Sequence, residues 1–198
     1  MATVGDVSAR AGPRERILDT AYALFARRGV GDVGIDEVIA GSGVAKATLY
    51  RHFPSKTELV LAFLAEREQR WTREFLAVES ARRGTTPQQQ LLALFDVFDE
   101  WFHRTDFEGC SFINVLLEMH GHGPEHPLGR ASAQYLDNIR ALVRQRAERA
   151  GLACPAEFAH SWHILMKGSI IAAAEGDRHA ARRAKPMAHC LIQQHSTP

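Results

Sequence analysis

Residues 35 to 54 have room for two short helices and a turn between them. Val38 and Ile39 face inward from the first, about Ile35 to Ser42, which carries Asp36 and Glu37 in its first turn. Gly43 breaks that helix and permits the left-handed backbone of a tight turn. The second helix, about Ala45 to Phe53, is closed by Pro54. Val44 and Leu49 plug the angle between the two, and Lys46, Thr48, Arg51 and His52 form a polar face. Two short helices at a glycine turn have the geometry of a helix-turn-helix, whose second helix offers its N-terminal residues to base edges in the major groove.

The remainder also reads as helix after helix, with no convincing alternating strand pattern. Pro13 suits a first helical turn, and Ile17, Leu18, Ala21, Leu24 and Phe25 follow as an apolar stripe ending at Gly29. Ser55 and Glu58 form a capping box that opens a long helix to about Ser80. Further helices are expected over Gln88–His103, Cys110–His120, Leu128–Ala150 and Pro155–Glu175, and from Asp177 to about Gln194. The fold class is therefore all-α, with about nine helices. The expected division is a flexible tail at 1–12, a three-helix DNA-binding domain at 13–58, and a helical ligand-binding and dimerisation domain at 59–198.

The net charge of +1 does not announce a nucleic-acid partner, but the distribution is uneven. From Gly43 to Thr57 there is no acidic residue, while Lys46, Arg51 and Lys56 are present with His52 beside Arg51. That is the footprint of one anionic contact surface.

The run Gly43-Val44-Ala45-Lys46-Ala47-Thr48-Leu49-Tyr50-Arg51-His52-Phe53-Pro54-Ser55-Lys56 resembles the TetR family of regulators. So does the stretch before it, with Ile17-Leu18, Ala21, Leu24-Phe25, Arg28-Gly29 and Ile35-Asp36-Glu37-Val38. The match covers about residues 13 to 64. It implies base and nearby phosphate contacts for Lys46, Ala47 and Thr48, and backbone phosphate contacts for Tyr50, His52 and Lys56, with Arg51 on the same face. A hydroxyl, a phenol and a cation near helix N-termini suit phosphate oxygens on chemical grounds as well. Ala45 and Gly34 stand where side-chain caps are common, a departure that removes about 1 kcal/mol of capping at each helix, less for glycine.

The resemblance further implies a homodimer paired through the last two helices and an effector pocket among the middle ones. Suitable pocket residues are Trp71, Phe75, Phe98, Trp101, Phe102, Cys110, Asn114, Glu118 and Trp162, for a small apolar or amphipathic effector. Each of these aromatics has plain core as its alternative role. The segment Gly109-Cys110-Ser111-Phe112-Ile113-Asn114 looks like a Gly-Cys-x-x-x-Asn motif of some TetR-like ligand domains, where the cysteine senses oxidants; a buried structural cysteine is the other reading. The histidines of His120-Gly121-His122-Gly123-Pro124-Glu125-His126 read as a surface loop rather than a metal site.

Cys110, Cys154 and Cys190 are far apart and form no CxxC pair, so neither a disulfide framework nor a zinc site is implied. No apolar run approaches the roughly 20 residues that span a bilayer. Met1 to Gly12 lacks an apolar signal core, so a cytoplasmic location is expected. No nucleophile elbow, Walker loop, dinucleotide fingerprint or HExxH is present, and no catalytic residue, cofactor or metal is expected. The expected function is a sequence-specific DNA-binding regulator, most simply a repressor released from operator DNA by a small molecule. The alternatives are a DNA-binding protein acting through a protein partner without an effector, or a helical enzyme.

Overall fold

The structure, a computed structural model, describes residues 12–123 and 125–196. The expected tail lies outside these residues except for Gly12, the N-cap of the first helix. Among the described residues the chain is α-helical, with nine α-helices when the continuous run from 56 to 82 is counted once. No described helix is long and apolar enough to cross a membrane.

The chain forms two compact units. One comprises the described residues up to Arg67 together with Ser111–Ser132. It contains α1 (Pro13–Arg28), α2 (Ile35–Ser42), α3 (Lys46–His52), α4 (Lys56–Arg67) and α7 (Ser111–Glu118). Helix α1 packs against α2, α3 and α4, and α4 packs against α7. Its stripe buries Ile17, Leu18, Ala21 and Phe25 at i, i+4 and i+8 spacing, as the sequence implies. Phe63 of α4 makes edge-to-face contacts with Tyr22 and Phe25 at ring-centroid distances of 5.4 and 5.6 Å. Arg28 ties down the loop after α1 by pairing with Glu37 and donating to the Asp32 carbonyl at 2.9 Å.

This unit is larger than the division at residue 58 expects. The added pieces are held by specific bonds: Arg67 donates to the Tyr22 hydroxyl at 2.9 Å, and the Gly31 N–H donates to Glu118 Oε2 at 3.0 Å.

The other unit comprises Glu68–Cys110 and the described residues from Ala133 onward. It holds a π-helical segment (Glu68–Leu76), α5 (Ala77–Arg82), α6 (Pro87–Phe102), most of α8 (Pro127–Arg149), α9 (Pro155–Ala174) and α10 (Ala180–His195). Thr86 caps α6 by accepting from Gln89 N–H at 3.2 Å, and Pro87 sits in its first turn. Helix α10 packs on α9 and α6 through Ala181, Ala184, Ala188 and Ile192. The core is aromatic, with Phe95, Phe98, Phe102, Phe158 and Trp162 buried.

The long helix expected from Ser55 to Ser80 is continuous but not uniform. Nine of its residues wind as a π-helix, a form rarely longer than a single turn. An apolar stripe reports which side of a helix is buried, but it does not distinguish the wider winding.

Candidate nucleic-acid interface

Helix α3 is short, and its setting is made by three local devices. Gly43 adopts φ +64°, the left-handed region, and its N–H donates to the Ile39 carbonyl at 3.1 Å. Leu49 is fully buried and Phe53 nearly so, which fixes the inward face of α3. The Ser55 hydroxyl accepts from the Glu58 N–H at 3.1 Å and starts α4 immediately afterwards. Neither Ala45 nor Gly34 supplies a side-chain cap, so the N–H groups at the start of α3 have no side-chain partner at the cap position.

With Leu49 and Phe53 inward, the opposite face is free to meet a ligand. Lys46, Ala47, Tyr50 and Arg51 are exposed, and Thr48, His52 and Lys56 are partly so. Tyr50 is 40% exposed, so it lies at the surface rather than in the core. Lys46 Nζ lies 3.3 Å from Asp36 Oδ1, a pair between two highly exposed side chains. Such a pair is worth a few tenths of a kcal/mol, so Lys46 is readily drawn to a phosphate instead. No acidic residue enters the first turn of α3. The surface therefore offers cations, a phenol, a hydroxyl and helix-end N–H groups together, a donor set for an anionic backbone.

Arg14 also belongs to this area, with its guanidinium 5.2 Å from the centre of the Phe53 ring. Its position in the first turn of α1 carries no motif that marks it from sequence.

A sequence profile of bacterial regulatory proteins, tetR family, matches residues 17–63, the segment just described. Along most of the chain the fold superimposes on a candidate TetR transcriptional regulator from Streptomyces avermitilis. That match has a TM-score of 0.82 and 30% identity, covering 93% of this chain and 98% of the other. The chain belongs to the TetR family. Among curated relatives, the transcriptional repressor KstR of Rhodococcus jostii is 40% identical over 90 residues, covering 43% of this chain and 38% of its own length. The transcriptional activator FasR of Mycolicibacterium smegmatis is 38% identical over 102 residues, covering 50% of this chain and 44% of its own. The aligned stretch spans less than half the length of the curated relatives it matches. Each of these relatives is named as a regulator of transcription.

The residues expected to line an effector pocket divide between the two units. Trp71, Phe75, Phe98, Trp101 and Phe102 gather in the second, but they pack on one another: Trp71 lies 4.4 Å from Trp101 and 5.3 Å from Phe75. Trp162 is fully buried between Phe95 and Phe158, and its Nε1 has no hydrogen-bond partner. Cys110, the last residue of the Glu68–Cys110 stretch, is buried, and none of the three cysteines is in a disulfide. Asn114 and Glu118 belong to the unit that carries α3. Asn114 is exposed, and Glu118 is engaged with the Gly31 amide. The phase of α7 explains both, because Phe112, Ile113 and Val115 take its inner face.

One clustering has no sequence signature. Asp99, His103 and His179 bring candidate ligand atoms within 4.8 Å of one another. Arginines already surround them: Arg182 pairs with Asp99 at 2.9 Å, and Arg178 donates to the His103 carbonyl at 3.4 Å. A cation arriving there would meet positive charge, so the cluster reads as an ion-paired seam between α6 and α10.

Proposed function

We propose that this TetR-family protein is a homodimeric repressor that grips operator DNA with α3 and lets go when a small molecule binds its C-terminal unit. The observation that carries the DNA-binding reading is the orientation of α3. Leu49 and Phe53 are buried while Lys46, Ala47, Tyr50 and Arg51 are exposed, so the polar face is available to a major groove. Lys46, Thr48, Tyr50, Arg51, His52 and Lys56 then contact base edges and phosphates, with Ala47 small enough to allow close approach. A protein with this task works in the cytoplasm, where the chromosome is.

Dimerisation is supported by apolar exposure on the last two helices. Ile164 and Ile171 of α9 and Met187 of α10 are 65%, 43% and 59% exposed. Between the first two sits Gly168, where even an added Cβ would meet nothing within 4 Å. A stripe of large apolar side chains around a glycine suits a partner helix, and two reading heads on one dimer suit two half-sites about a helical turn or more apart.

Release by an effector is supported by continuity. The run from 56 to 82 begins next to α3 and passes into the C-terminal unit as the π-helical segment. A ligand that favours one arrangement of that run changes the spacing of the two heads. The test is to select bound fragments from genomic DNA, then titrate the selected duplex with protein in a gel shift. A palindromic site bound by a dimer supports the reading; no selected sequence, or binding as a monomer to one half-site, overturns it.

A further inference from the structure

Glu68 opens the π-helical segment and is 4% exposed. Its Oε1 accepts from Asn138 Nδ2 at 2.9 Å, and Arg73 Nε is 3.6 Å away. Its Oε2 is buried and has no hydrogen-bond partner. Four residues on, Thr72 is also 4% exposed, and its Oγ1 likewise has none. A buried carboxylate oxygen without a partner carries a substantial penalty, and proteins rarely leave one so. That oxygen and an unpartnered hydroxyl four residues on, in a stretch of helix that is itself an unusual winding, point to something that completes the set. π-Helical insertions are frequent at functional sites.

A groove of about 490 Å³ runs along this segment against α8. Glu68, Thr72, Arg73, Asn138, Arg144 and Glu148 are among the residues that line it. That volume lies in the range of sites for small organic molecules. Arg144 and Glu148 pair with each other at 3.5 Å, and Arg73 is 64% exposed. The exposed rim carries Arg73 and Arg144 against Glu148, and the buried floor carries the Glu68 carboxylate, so the lining as a whole is charge-balanced with its negative charge deepest.

Chemistry limits what fits. An ionised carboxylate only accepts, and a threonine hydroxyl can accept as well as donate. Glu68 Oε2 requires an N–H or O–H donor, Thr72 Oγ1 can accept a second one, and a positive charge matches the carboxylate. We propose that this groove binds small organic cations, protonated amines or amidines, with the cationic nitrogen donating to Glu68 Oε2 and Thr72 Oγ1. The inference rests on reading the C-terminal unit as the effector-binding part, and it gives that effector a charge. It narrows the small apolar or amphipathic effector expected from the sequence to a cationic one, and it places that effector away from the aromatic residues, which are occupied with one another.

The test is calorimetric titration of the full-length protein with benzamidine, benzylamine and 1,5-diaminopentane, beside neutral benzyl alcohol and anionic benzoate. Saturable binding of one or more cations, with neither control bound, is the expected result. Glu68→Gln should weaken it about tenfold or more, and Thr72→Val severalfold, since a hydrogen bond to a charged group is lost. Near-ultraviolet circular dichroism of both variants checks that the aromatic core is intact. The proposal is overturned if no cation binds, if the neutral alcohol binds equally well, or if Glu68→Gln binds cations as the parent does. The same cations are then added to the protein on its selected operator. Cation binding without release keeps the site and counts against the effector mechanism. Release caused by an uncharged compound and insensitive to Glu68→Gln keeps the mechanism and overturns the assignment of the effector to this groove.

Discussion

Glu118 of α7 accepts the backbone N–H of Gly31 at 3.0 Å, joining positions 87 residues apart within the unit that carries α3. The carboxylate also lies against Gly29, where an added Cβ would sit 3.1 Å from Oε1 in a backbone at φ +84°. Glu118→Ala is expected to destabilise the protein by about 1 kcal/mol, the usual net worth of such a bond. Glu118→Gln, which keeps an acceptor oxygen, should recover most of that. Urea denaturation of the three proteins measures the difference.

Arg146 is a buried guanidinium held by backbone carbonyls. It donates to the carbonyls of Ala77 and Gln90 at 2.9 and 3.0 Å, and burial pulls its pKa down to about 10. Ala77 follows the π-helical segment directly, so Arg146 fastens the point where the winding returns to α. Arg146→Met removes two hydrogen bonds from a charged donor, leaving the Ala77 carbonyl the Ser80 hydroxyl at 3.3 Å, and should cost about 2–4 kcal/mol. Chemical denaturation reads it; a loss under 0.5 kcal/mol would show that the carbonyls find other donors.

His163 is 3% exposed and its Nδ1 has no partner. Burial first, then the charges of Lys167 and Arg140, lowers its pKa to about 4 from an ordinary 6.5. The folded state thus keeps it neutral while the unfolded chain takes up a proton below about pH 6.5. Folding stability should fall as the pH drops from 6.5 to 4, by up to about 3 kcal/mol from this group. His163→Leu should flatten that part of the acid limb in denaturant melts across the pH range, while other groups that titrate there remain.

Tyr50 and Leu49 are neighbours on α3 with opposite roles. Leu49 is fully buried and Tyr50 is 40% exposed. Leu49→Ala should cost about 2–5 kcal/mol of stability. Tyr50→Phe should leave stability within about 0.5 kcal/mol yet weaken DNA binding about tenfold, as one phosphate bond is removed. Melting curves and fluorescence anisotropy on one operator duplex separate the two.

Much of the reading head is legible from residue types alone. Gly43 is a glycine at a position that needs positive φ, Leu49 and Phe53 are large apolar residues in a polar stretch, and Ser55 with Glu58 marks a helix start. These are local signals, each tied to a few adjacent residues. The roles of Glu118 and Arg146 are not legible, because their partners are backbone groups distant in sequence. The π-helical segment is invisible for a related reason, since its winding depends on what packs beside it. The last helix is legible in spite of Pro186, which lies inside α10 without ending it. An interior proline costs about 3 kcal/mol or more, and the burial of Ala184, Ala188 and Ile192 around it helps offset that.

The account stands on α3 meeting phosphates and bases, and the salt dependence of binding tests that most directly. Anisotropy of the selected operator duplex should give an affinity that falls steeply and linearly on a log–log plot against salt, by about 10³–10⁵ between 50 and 200 mM for six to ten phosphate contacts. Lys46→Ala and Lys56→Ala should each lower the slope by about one. A flat salt dependence, or slopes unchanged by both substitutions, would contradict the central claim.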